Sequence, residues 1–490
     1  MSTHRHQLPG RRDLYYGGGW HPPIDGRLDA TFDPGTGASL GEVAVAGTAD
    51  VDAAVGAAAR GYDAWRKVAP LERASILRAV AERVRKHADE LAWLDAVNGG
   101  NPVREMASDA KVAAAQLDFF AGLVTEMKGA SIPMGPDAVN FSVREPLGVV
   151  ARIVPFNHPF MFAAGKSAAP LAAGNSVIVK PPDQAPLSSL RLAEITADLL
   201  PPGAFNVLPG DRATGAALAG HPGVAMVAII GSVAAGRAVM RAASDTVKPV
   251  MLELGGKNAL IAYGDADPDE VAAGVVGGMN FTWCGQSCGS TSRAFVHASI
   301  YRDVLERVEA RIAAFRPGLP TDPATTMGAI VSRAQLERIE GYVASAHADG
   351  ARLLCGGRRP VDPALAHGHF YEPTVFCDVT QAMRIAQEEI FGPVLAILPW
   401  SDERRMLDDV NAVPYGLTCA IFTNDLSTAH RTAMAVAVGY VWINEVGRHY
   451  LGAPFGGVRQ SGFGREECFE ELLRYTQEKN IHIKLRGARP

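Results

Sequence analysis

The chain has 490 residues, of which 48% are hydrophobic and 20% charged, and its formal net charge is −5. This length is enough for about three domains with large buried cores. No basic excess favours nucleic acid as a partner, and no run of about 18 apolar residues predicts a membrane span. Six cysteines are too few for a disulfide scaffold, and Cys284 and Cys288 have no second pair at zinc-binding spacing, so we predict no metal site.

The N-terminal end and the cysteine content together indicate a compartment. Residues 1–12 contain His and Arg and have no apolar stretch behind them, so they do not resemble a secretory signal. Sparse cysteines are typical of a protein from a reducing environment. We therefore predict a cytoplasmic location and no membrane association.

The first part of the chain predicts short strands, then helices, then an alternating pattern. Short strands and turns are predicted over 13–48, and helices over 49–67, 71–97 and 106–129. The polar, turn-rich segment 131–144 interrupts the helices. From residue 147, strands are predicted over 148–154, 176–180, 205–208, 225–230 and 250–254, separated by helices over 160–172, 187–199, 212–220 and 234–243. This alternation is typical of a parallel sheet covered on both faces, with ligands beyond the carboxyl ends of its strands.

A second alternation runs to about residue 460 and predicts a second α/β domain. Its strands are predicted over 259–262, 294–297, 351–355, 394–398, 419–422 and 440–443, with helices over 302–315, 333–349, 403–410 and 427–436. In the tail, residues 479–485 alternate between polar and apolar, which predicts an edge strand that pairs across a subunit boundary.

One cysteine stands out for chemistry. Cys288 lies between the small residues Ser287 and Gly289, which leave its sulfur open to a substrate, and a thiolate is a strong nucleophile. Glu253 and Asn157 lie upstream at or near the ends of predicted strands. The alternative is that Cys288 packs in the interior like a small hydrophobic residue and has no chemical role.

A nucleotide site is indicated without the usual glycine fingerprint. Gly231 and Ser232 follow a strong strand and open a helix, where the helix N-terminus favours an anion. Lys180 and Asp183 follow another strand and could hold a ribose diol, and Gly210 also lies just past a strand end. Each pattern by itself is common, so a phosphate site and an ordinary strand-to-helix turn both stay open.

Taken together, these segments resemble the aldehyde dehydrogenase superfamily, in its hydrolytic branch that does not acylate coenzyme A. The likeness spans residues 14–485 and rests on seven motifs in order, which lie at 155–157, 180–183, 231–232, 253–257, 285–288, 389–393 and 454–457 with 461–462. It implies two doubly wound α/β domains and a small β arm. The implied parts are an NAD-binding domain (1–130 and 147–255), a catalytic domain (256–469) and an oligomerisation arm (131–146 and 470–490) that builds a homodimer or homotetramer.

The resemblance also implies catalytic roles and an activity, the NAD(P)-dependent oxidation of a small-molecule aldehyde to an acid. Cys288 would be the nucleophile, Glu253 the general base for water, and Asn157 part of the oxyanion hole. Lys166 matches a lysine near the site and would favour the thiolate, although a helix-surface lysine is an equal alternative.

The cofactor residues carried over by the resemblance hold NAD at both ends. They are Phe156, Lys180, Asp183, Gly210, Gly231, Ser232, Gly255, Glu389 and Phe391. Because the carboxylate of Asp183 would repel the 2′-phosphate of NADP, we predict a preference for NAD with NADP still possible.

The implied substrate pocket has several aromatic residues. Its predicted lining is His158, Phe162, Gly165, Thr282, Trp283, Ser287, His449 and Tyr450. Gly165 stands where bulkier residues are common and would make room, and Trp283, Phe162 and Tyr450 could stack on a ring or contact a quaternary ammonium. We predict a medium-sized aldehyde of aromatic or amino/betaine type, with Arg448 as a lesser option for a carboxylate.

Three alternatives stay open at this point. A semialdehyde dehydrogenase that acylates coenzyme A is opposed by Glu253, because that branch does not depend on a base there. A catalytically silent binding or structural protein is opposed by the intact Cys288, Glu253 and Asn157. A reversible disulfide between Cys284 and Cys288 would add redox control.

Overall fold

The computed structural model of the chain describes residues 7–486. Residues 1–6 and 487–490 lie outside this description. They include the start of the segment tested for a secretory signal and the outer ends of the predicted parts 1–130 and 470–490. Within residues 7–486, no helix is both long enough and apolar enough to span a bilayer.

Two short hairpins and four helices precede the first parallel strands. The hairpin strands are Leu14–Tyr16 (β1), Gly19–His21 (β2), Leu28–Phe32 (β3) and Ser39–Ala44 (β4). The helices are Thr48–Trp65 (α1), Pro70–Lys86 (α2), Ala88–Gly99 (α3) and Val103–Gly122 (α4). The single helix predicted over 71–97 is two helices that meet at His87, whose backbone leaves helical geometry and whose Nδ1 bonds Glu90 at 2.9 Å in the next turn.

The polar excursion after α4 is extended, and the alternating region follows it. The excursion contains Ser131–Ile132 (β5) and Ala138–Pro146 (β6). The alternating region contains the strands Val149–Ile153 (β7), Ser176–Lys180 (β8), Phe205–Val207 (β9), Met226–Gly231 (β10) and Val250–Leu254 (β11). Its helices are Pro159–Gly165 (α5), Ala168–Ala173 (α6), Leu187–Thr196 (α7), Arg212–Gly220 (α8) and Val233–Ser244 (α9).

The second alternation also forms a sheet with helices on its faces. Its strands are Ala259–Ala262 (β12), Arg293–His297 (β13), Arg352–Cys355 (β14), Thr374–Cys377 (β15), Val394–Trp400 (β16), Thr418–Phe422 (β17) and Tyr440–Ile443 (β18). Its helices are Pro268–Gly278 (α10), Tyr301–Ile312 (α11), Arg333–Ala348 (α12), Arg384–Gln387 (α13), Glu403–Asn411 (α14) and Leu426–Ala435 (α15). The chain then forms Gly462–Phe463 (β19), Phe469–Arg474 (α16) and Thr476–Lys484 (β20).

These strands form two large sheets and two small ones. The first sheet has the order β19-β11-β10-β7-β8-β9-β1-β2, with β7 to β11 parallel. The second has the order β14-β15-β16-β13-β12-β17-β18 and is parallel except for β14. The third is β20-β6-β5, and β3 pairs with β4. The predicted architecture of two doubly wound α/β layers with a small β element is therefore confirmed.

Buried apolar side chains lie on both faces of each large sheet. One face of the first sheet packs on α2 to α7 and the other on α1, α8 and α9. The second sheet is covered in the same way by α12 and α14 on one face and by α10 and α11 on the other. Strands buried on both faces read as continuous apolar runs, which is why the bounds of most of them could be predicted to within two residues. The exception is β15, a buried strand that the sequence analysis missed.

The connection between the two large sheets determines where a site can form. β11 ends at Leu254 and β12 begins at Ala259, so four residues join the carboxyl end of the first sheet to the amino end of the second. Cys288 and Glu389 precede β13 and β16, and therefore also lie at the amino end of the second sheet. The division of the chain into cofactor, catalytic and arm parts at these points stays our proposal.

Candidate active site

The loop that carries Cys288 is held rigidly against the segment after β11. Asn258 Nδ2 donates to the carbonyl oxygens of Cys288 at 2.6 Å and Ser290 at 3.0 Å. Gly285 has a φ of +62°, and a Cβ there would collide with the carbonyl oxygen of Gly392. The loop therefore needs glycine at this point, and its backbone is fixed before any substrate arrives.

The thiol of Cys288 is neutral in this environment. Burial raises its pKa to about 12, and the negative charges of Glu389 and Glu253 add to the effect. Both carboxylates are therefore close enough to the sulfur to act on its ionisation. Converting the thiol to a thiolate requires a compensating positive charge or a base.

Glu253 has an uncommitted carboxyl group inside the protein. Its backbone pairs with Ile230 and Gly462 in the first sheet. Both carboxyl oxygens are buried and have no hydrogen-bond partner among residues 7–486. Burial and the negative charge of Glu466 raise its pKa well above the ordinary value. A buried polar group without partners is costly, and such groups recur where chemistry is done.

The charge of Glu466 is maintained by two cations. Arg152 and Lys166 each approach its carboxylate to 3.0 Å, and all three side chains are almost fully buried. Burial opposes ionisation of Glu466, but these two cations hold its pKa below the ordinary value. Lys166 also bonds Glu467 at 3.3 Å. Lys166 is thus neither a surface lysine nor directed at Cys288, because its charge is committed to these carboxylates.

Asn157 lies on a loop that contacts Asn101, the segment of Phe391 and the loop that carries Cys288. Its carbonyl oxygen accepts a hydrogen bond from Asn101 Nδ2 at 2.6 Å. Its side-chain Oδ1 is buried and makes no hydrogen bond with the described part of the chain. The preceding Phe156 packs edge-on against Phe391 with 5.6 Å between ring centroids. The backbone of Asn157 is therefore held in place, while its side-chain Oδ1 has no hydrogen-bond partner among the described residues.

One group of predicted cofactor residues lies at the carboxyl ends of β8 and β9. Lys180 is the last residue of β8 and is buried, which lowers the pKa of its ammonium group. Asp183 is exposed three residues further on, and it lines a shallow depression together with Gly210. A cation and a carboxylate side by side suit a ribose diol.

A second group lies at the start of α9. Gly231 ends β10, and Ser232 caps the helix by accepting a hydrogen bond from the Ala235 N–H at 3.2 Å. The cap uses an oxygen lone pair of Ser232 and leaves the hydroxyl proton for another acceptor. The exposed N-terminus of this twelve-residue helix attracts anions, so a phosphate fits here.

A third group surrounds Glu389. Glu389 Oε1 accepts the Gly256 N–H at 3.1 Å, and a Cβ at Gly255 would collide with the same carboxylate. Burial raises the pKa of Glu389 to about 7. Phe391 has a φ of +57°, a strained conformation that Gln335 supports by donating to its carbonyl at 2.8 Å. The three groups together offer the cation, carboxylates and helix end that a dinucleotide requires.

The predicted substrate pocket has a buried ion pair that the sequence did not reveal. His158 Nδ1 bonds Asp109 Oδ2 at 2.7 Å, and both side chains are less than a tenth exposed. Phe162 and Trp283 meet the His158 ring edge-on, with centroid distances of 5.7 and 4.7 Å. These contacts bring the loop of Asn157 and the loop of Cys288 together.

The room expected at Gly165 is taken by another side chain. A Cβ at Gly165 would collide with Gln116 Oε1, which projects from α4. Gly165 therefore makes space for Gln116, and the expectation that it enlarges the pocket for substrate was wrong in that respect. Asp109 and Gln116 are seven residues apart on the buried face of α4. Two polar residues at that spacing in an apolar stripe are the signal that could have found them.

The remaining predicted lining residues are more exposed. Ser287 is half-buried beside the nucleophile. His449 bonds Glu467 at 3.1 Å, and its ring is tilted against that of Phe455 with 4.3 Å between centroids. Tyr450 is half exposed, and the guanidinium of Arg448 covers its ring at 4.9 Å. A cation therefore already occupies one face of Tyr450.

The cysteine thought able to form a redox disulfide lies in the core. Cys284 is 1% exposed and packs in the apolar cluster beneath the second sheet. Burial raises the pKa of its thiol above the range in which thiolates form readily. Both Cys284 and Cys288 are free thiols here.

Comparisons with known proteins agree with this architecture. A model of the aldehyde dehydrogenase family matches residues 20–481. Aldehyde dehydrogenase tropH of Talaromyces stipitatus is 50% identical over 489 residues, which cover 98% of this chain and 95% of that protein.

Solved structures are similar over the whole chain. The structure of PnpE from Pseudomonas sp. WBC-3 in complex with nicotinamide adenine dinucleotide has a TM-score of 0.95 at 37% identity, covering 97% of this chain and 98% of that chain. A mutant of the P. syringae indole-3-acetaldehyde dehydrogenase AldA, solved with NAD+ and IAA, has a TM-score of 0.94 at 35% identity, covering 98% and 97%.

Two Rossmann-like sheets are joined where the carboxyl end of the first meets the amino end of the second, and crevices at such strand ends are where α/β enzymes bind nucleotides. The chain belongs to the aldehyde dehydrogenase family. It is an NAD-dependent aldehyde dehydrogenase, as its sequence predicted.

Proposed function

We propose that this enzyme oxidises its aldehyde to a carboxylic acid through a thioester on Cys288, which is then hydrolysed by water that Glu253 activates. The observation that carries this proposal is the buried carboxyl group of Glu253, which has no hydrogen-bond partner within residues 7–486 although its charge acts on the Cys288 sulfur. A structural carboxyl group would be paired at this depth. A general base must instead keep its oxygens free for water.

The first half of the reaction forms a carbon–sulfur bond. The Cys288 thiol gives its proton to a base, the resulting thiolate adds to the aldehyde carbon, and the carbonyl electrons move to the oxygen as an alkoxide. The Asn157 side chain and the backbone N–H of Cys288 donate to that oxygen, and each such donor is worth roughly 3–4 kcal/mol in comparable sites. Collapse of the alkoxide restores the carbonyl and breaks the carbon–hydrogen bond, leaving a thioester. NAD+, when bound, accepts the hydride with its electron pair.

The second half of the reaction releases the acid. Glu253 takes a proton from water as the water oxygen attacks the thioester carbon. The carbon–sulfur bond breaks, the sulfur leaves as a thiolate, and the carboxylic acid departs. Because the pKa of Glu253 is raised, it is a stronger base than an ordinary carboxylate once it is ionised.

The residues that would hold NAD are the three groups described above. Lys180 and Asp183 suit the adenosine ribose, Ser232 and the start of α9 suit a phosphate, and Glu389 suits the nicotinamide ribose. The exposed carboxylate of Asp183 supports a preference for NAD over NADP, because it would repel a 2′-phosphate.

The substrate is proposed to be a medium-sized aldehyde, and an aromatic one fits better than a betaine type. Phe162 and Trp283 pack on the ring of His158 and together with it form an aromatic cluster beside the loop that carries Cys288. Arg448 already covers Tyr450, and the buried His158–Asp109 pair leaves no uncompensated negative charge for a quaternary ammonium. The relative from P. syringae is an indole-3-acetaldehyde dehydrogenase, which supports an aromatic substrate by analogy.

The β5, β6 and β20 sheet is proposed as an oligomerisation arm. β20 pairs with β6 along its whole length, and it forms the outer strand of this sheet. Its long outer edge, with exposed Ile483 and Leu485 nearby, is available for pairing with a second copy. A dimer or a tetramer built through this arm is expected, and light scattering of the purified protein tests it.

Rapid-mixing kinetics test the proposed chemistry. The Glu253→Gln variant should reduce one equivalent of NAD per active site in a burst and then stall, because hydride transfer precedes the step that needs the base. Cys288→Ser should abolish the burst, and the matched control Cys355→Ser should keep wild-type rates. Steady turnover by Glu253→Gln at the wild-type rate contradicts the proposal.

The rival activity, acylation of coenzyme A, has a separate readout. Product analysis with coenzyme A present should find only the free acid. Formation of acyl-coenzyme A at a rate comparable to turnover would replace the hydrolytic mechanism with the rival one. A protein that reduces no NAD with any of a dozen aldehydes would support the silent-member alternative.

A further inference from the structure

One ring nitrogen of His158, Nε2, takes no part in the pair with Asp109. Nδ1 is committed to Asp109 at 2.7 Å, and no other hydrogen bond of the His158 side chain is made within residues 7–486. Nε2 lies on the opposite side of the imidazole ring. Because Asp109 accepts from Nδ1, the ring carries a proton there in either charge state, and in the imidazolium form Nε2 is a second donor.

The surroundings of His158 favour the imidazolium. Burial acts to lower its pKa, but the carboxylates of Asp109 and Glu105 on α4 and of Asp95 on α3 raise it above the ordinary value. Trp283 and Phe162, which pack on the ring from the other side, do not titrate. The carboxylates therefore favour the positively charged form of the ring more than water does for a free imidazole.

A second donor without a partner lies beside this ring. The indole Nε1 of Trp283 is buried and makes no hydrogen bond to any of the described residues. Its ring centroid is 4.7 Å from that of His158. A buried indole N–H almost always has an acceptor, and leaving one without costs about 1–3 kcal/mol. The missing acceptor is therefore expected to come from something that binds.

The two donors lie on the aldehyde side of the site. His158 follows Asn157 directly, and Trp283 is five residues before Cys288 on the same fixed loop. A group held by both would belong to a molecule whose carbonyl is at Cys288. The cofactor residues, by contrast, lie at the ends of β8, β9 and β10 and beside Glu389.

We infer that His158 and Trp283 form a subsite for an anionic oxygen, so that the preferred substrate is an aldehyde with a second, negatively charged oxygen group remote from its carbonyl carbon. This inference rests on the proposed function, because it assigns the far end of the same substrate. A carboxylate and an ionised hydroxyl share the required chemistry. A trimethylammonium group in that place would offer no acceptor to either donor.

The test uses four benzaldehydes that differ only in the substituent at the para position. The para substituents are hydrogen, carboxylate, hydroxyl and trimethylammonium, and kcat/KM is measured for each with NAD as the pH is varied. The carboxylate or the ionised hydroxyl compound should exceed the unsubstituted one by about 10- to 100-fold, as expected for a hydrogen bond to a charged group. Whichever of the two leads identifies the anion. The trimethylammonium compound should be the poorest.

Variants separate this subsite from a structural role. His158→Gln and Trp283→Phe should raise KM for the anionic aldehydes by about 10-fold or more beyond whatever change each variant makes for benzaldehyde. Asp109→Asn should make the preference for the anion decline at a lower pH than in the wild type, because the imidazolium loses its counter-charge. The control His87→Gln removes a histidine–carboxylate pair of 2.9 Å at the junction of α2 and α3 and should change none of these values.

Equal kcat/KM across the charge series in the wild type would overturn the subsite. So would an equal loss for all four aldehydes in His158→Gln. If a variant does not fold, inhibition of the wild type by terephthalate compared with benzoate still decides, because the subsite predicts tighter binding of the dianion. A wild type that oxidises benzaldehyde without favouring the anions refutes only this inference, whereas no oxidation of any aldehyde refutes the proposed function.

Discussion

Gly456 and the carboxyl group of Glu253 are in contact, and a Cβ at position 456 would lie 2.7 Å from Glu253 Oε1. Gly456 also has a φ of +155°, which disfavours any larger residue. The missing side chain thus leaves the space in which the carboxyl group can turn toward water. The position of the Glu253 carboxyl group therefore depends on a glycine that is about two hundred residues distant in the sequence.

Replacing Gly456 with Ala should therefore impair deacylation. We expect kcat to fall by about 10-fold or more as Glu253 is displaced, while the pre-steady-state burst of NADH is retained. Stopped-flow absorbance measures both phases. Gly452→Ala is the matched control, because Gly452 also has a positive φ but a Cβ there would touch nothing within 4 Å. A loss of the burst together with turnover would show that Gly456 supports the fold instead of the base.

The ionisation of Cys288 should respond to Glu389. Burial raises the pKa of Cys288 to about 12. After burial, the largest effect on this pKa comes from the negative charge of Glu389. With a pKa of about 7, Glu389 is mostly ionised at pH 8. Glu389→Gln should then lower the pKa of the thiol and accelerate its alkylation by iodoacetamide at pH 8 severalfold, in the absence of cofactor.

Mass spectrometry of the peptide that contains Cys288 measures that alkylation. Glu388→Gln is the control, because Glu388 bonds Arg384 and Tyr342 on the surface and does not contribute to the pKa of the cysteine. An unchanged rate in Glu389→Gln would mean that burial alone sets the thiol's ionisation.

The pH dependence of turnover should report Glu253. Its pKa is raised, so the free carboxylate is lost as the pH falls through that raised value, and activity should fall with it on the acid side. Glu466→Gln removes the nearest negative charge, which lowers the pKa of Glu253. The acid limb of kcat should therefore move to lower pH, and a shift to higher pH would contradict this electrostatic account.

The buried ion pair of Arg152 should matter for stability. Arg152 donates to Glu466 at 3.0 Å and to the Tyr475 hydroxyl at 2.9 Å with only 1% of its side chain exposed. Arg152→Met leaves the carboxylate of Glu466 with one cation fewer, and breaking a buried pair costs about 3–5 kcal/mol. Chemical denaturation should detect this loss. Arg302→Met, which removes a pair of which the arginine is 90% exposed, should be indistinguishable from the wild type.

Parallel strands were the part of the fold that the sequence predicted best. β8, β11, β12 and β18 have the predicted bounds, because buried strands form short apolar runs between glycines and helix starts. The helix Pro268–Gly278 was missed, since Gly274, Gly277 and Gly278 lower its helical propensity. Gly274 is needed for packing, because a Cβ there would collide with the ring of Phe422. Tertiary contacts outweighed local preference at that point.

For the candidate site too, some features could be predicted from the sequence and others could not. Cys288, Glu253 and Asn157 stand in short motifs, so they could be proposed as site residues from the sequence, and that assignment stays a prediction. The charge of Glu253 acts on the Cys288 sulfur, and the contact of His158 with Trp283 joins the loops of Asn157 and Cys288. The hydrogen-bond partners of the site could not be predicted, because they depend on packing between distant helices. Asp109 and Gln116 lie on a helix that was predicted to be scaffold, and the commitment of Lys166 to Glu466 depends on a fold-level contact over 300 residues.

The origin of the polar groups on α4 has a practical meaning for protein engineering. Asp109 and Gln116 contact His158 and Gly165, two of the predicted lining residues, from a helix about 170 residues upstream of Cys288, and neither contacts Cys288 through a hydrogen bond. A combinatorial library at positions 109, 116 and 165 could thus retune which aldehyde is accepted while the reacting groups stay untouched. Substrate selectivity and catalytic rate would then be determined by residues in separate parts of the chain.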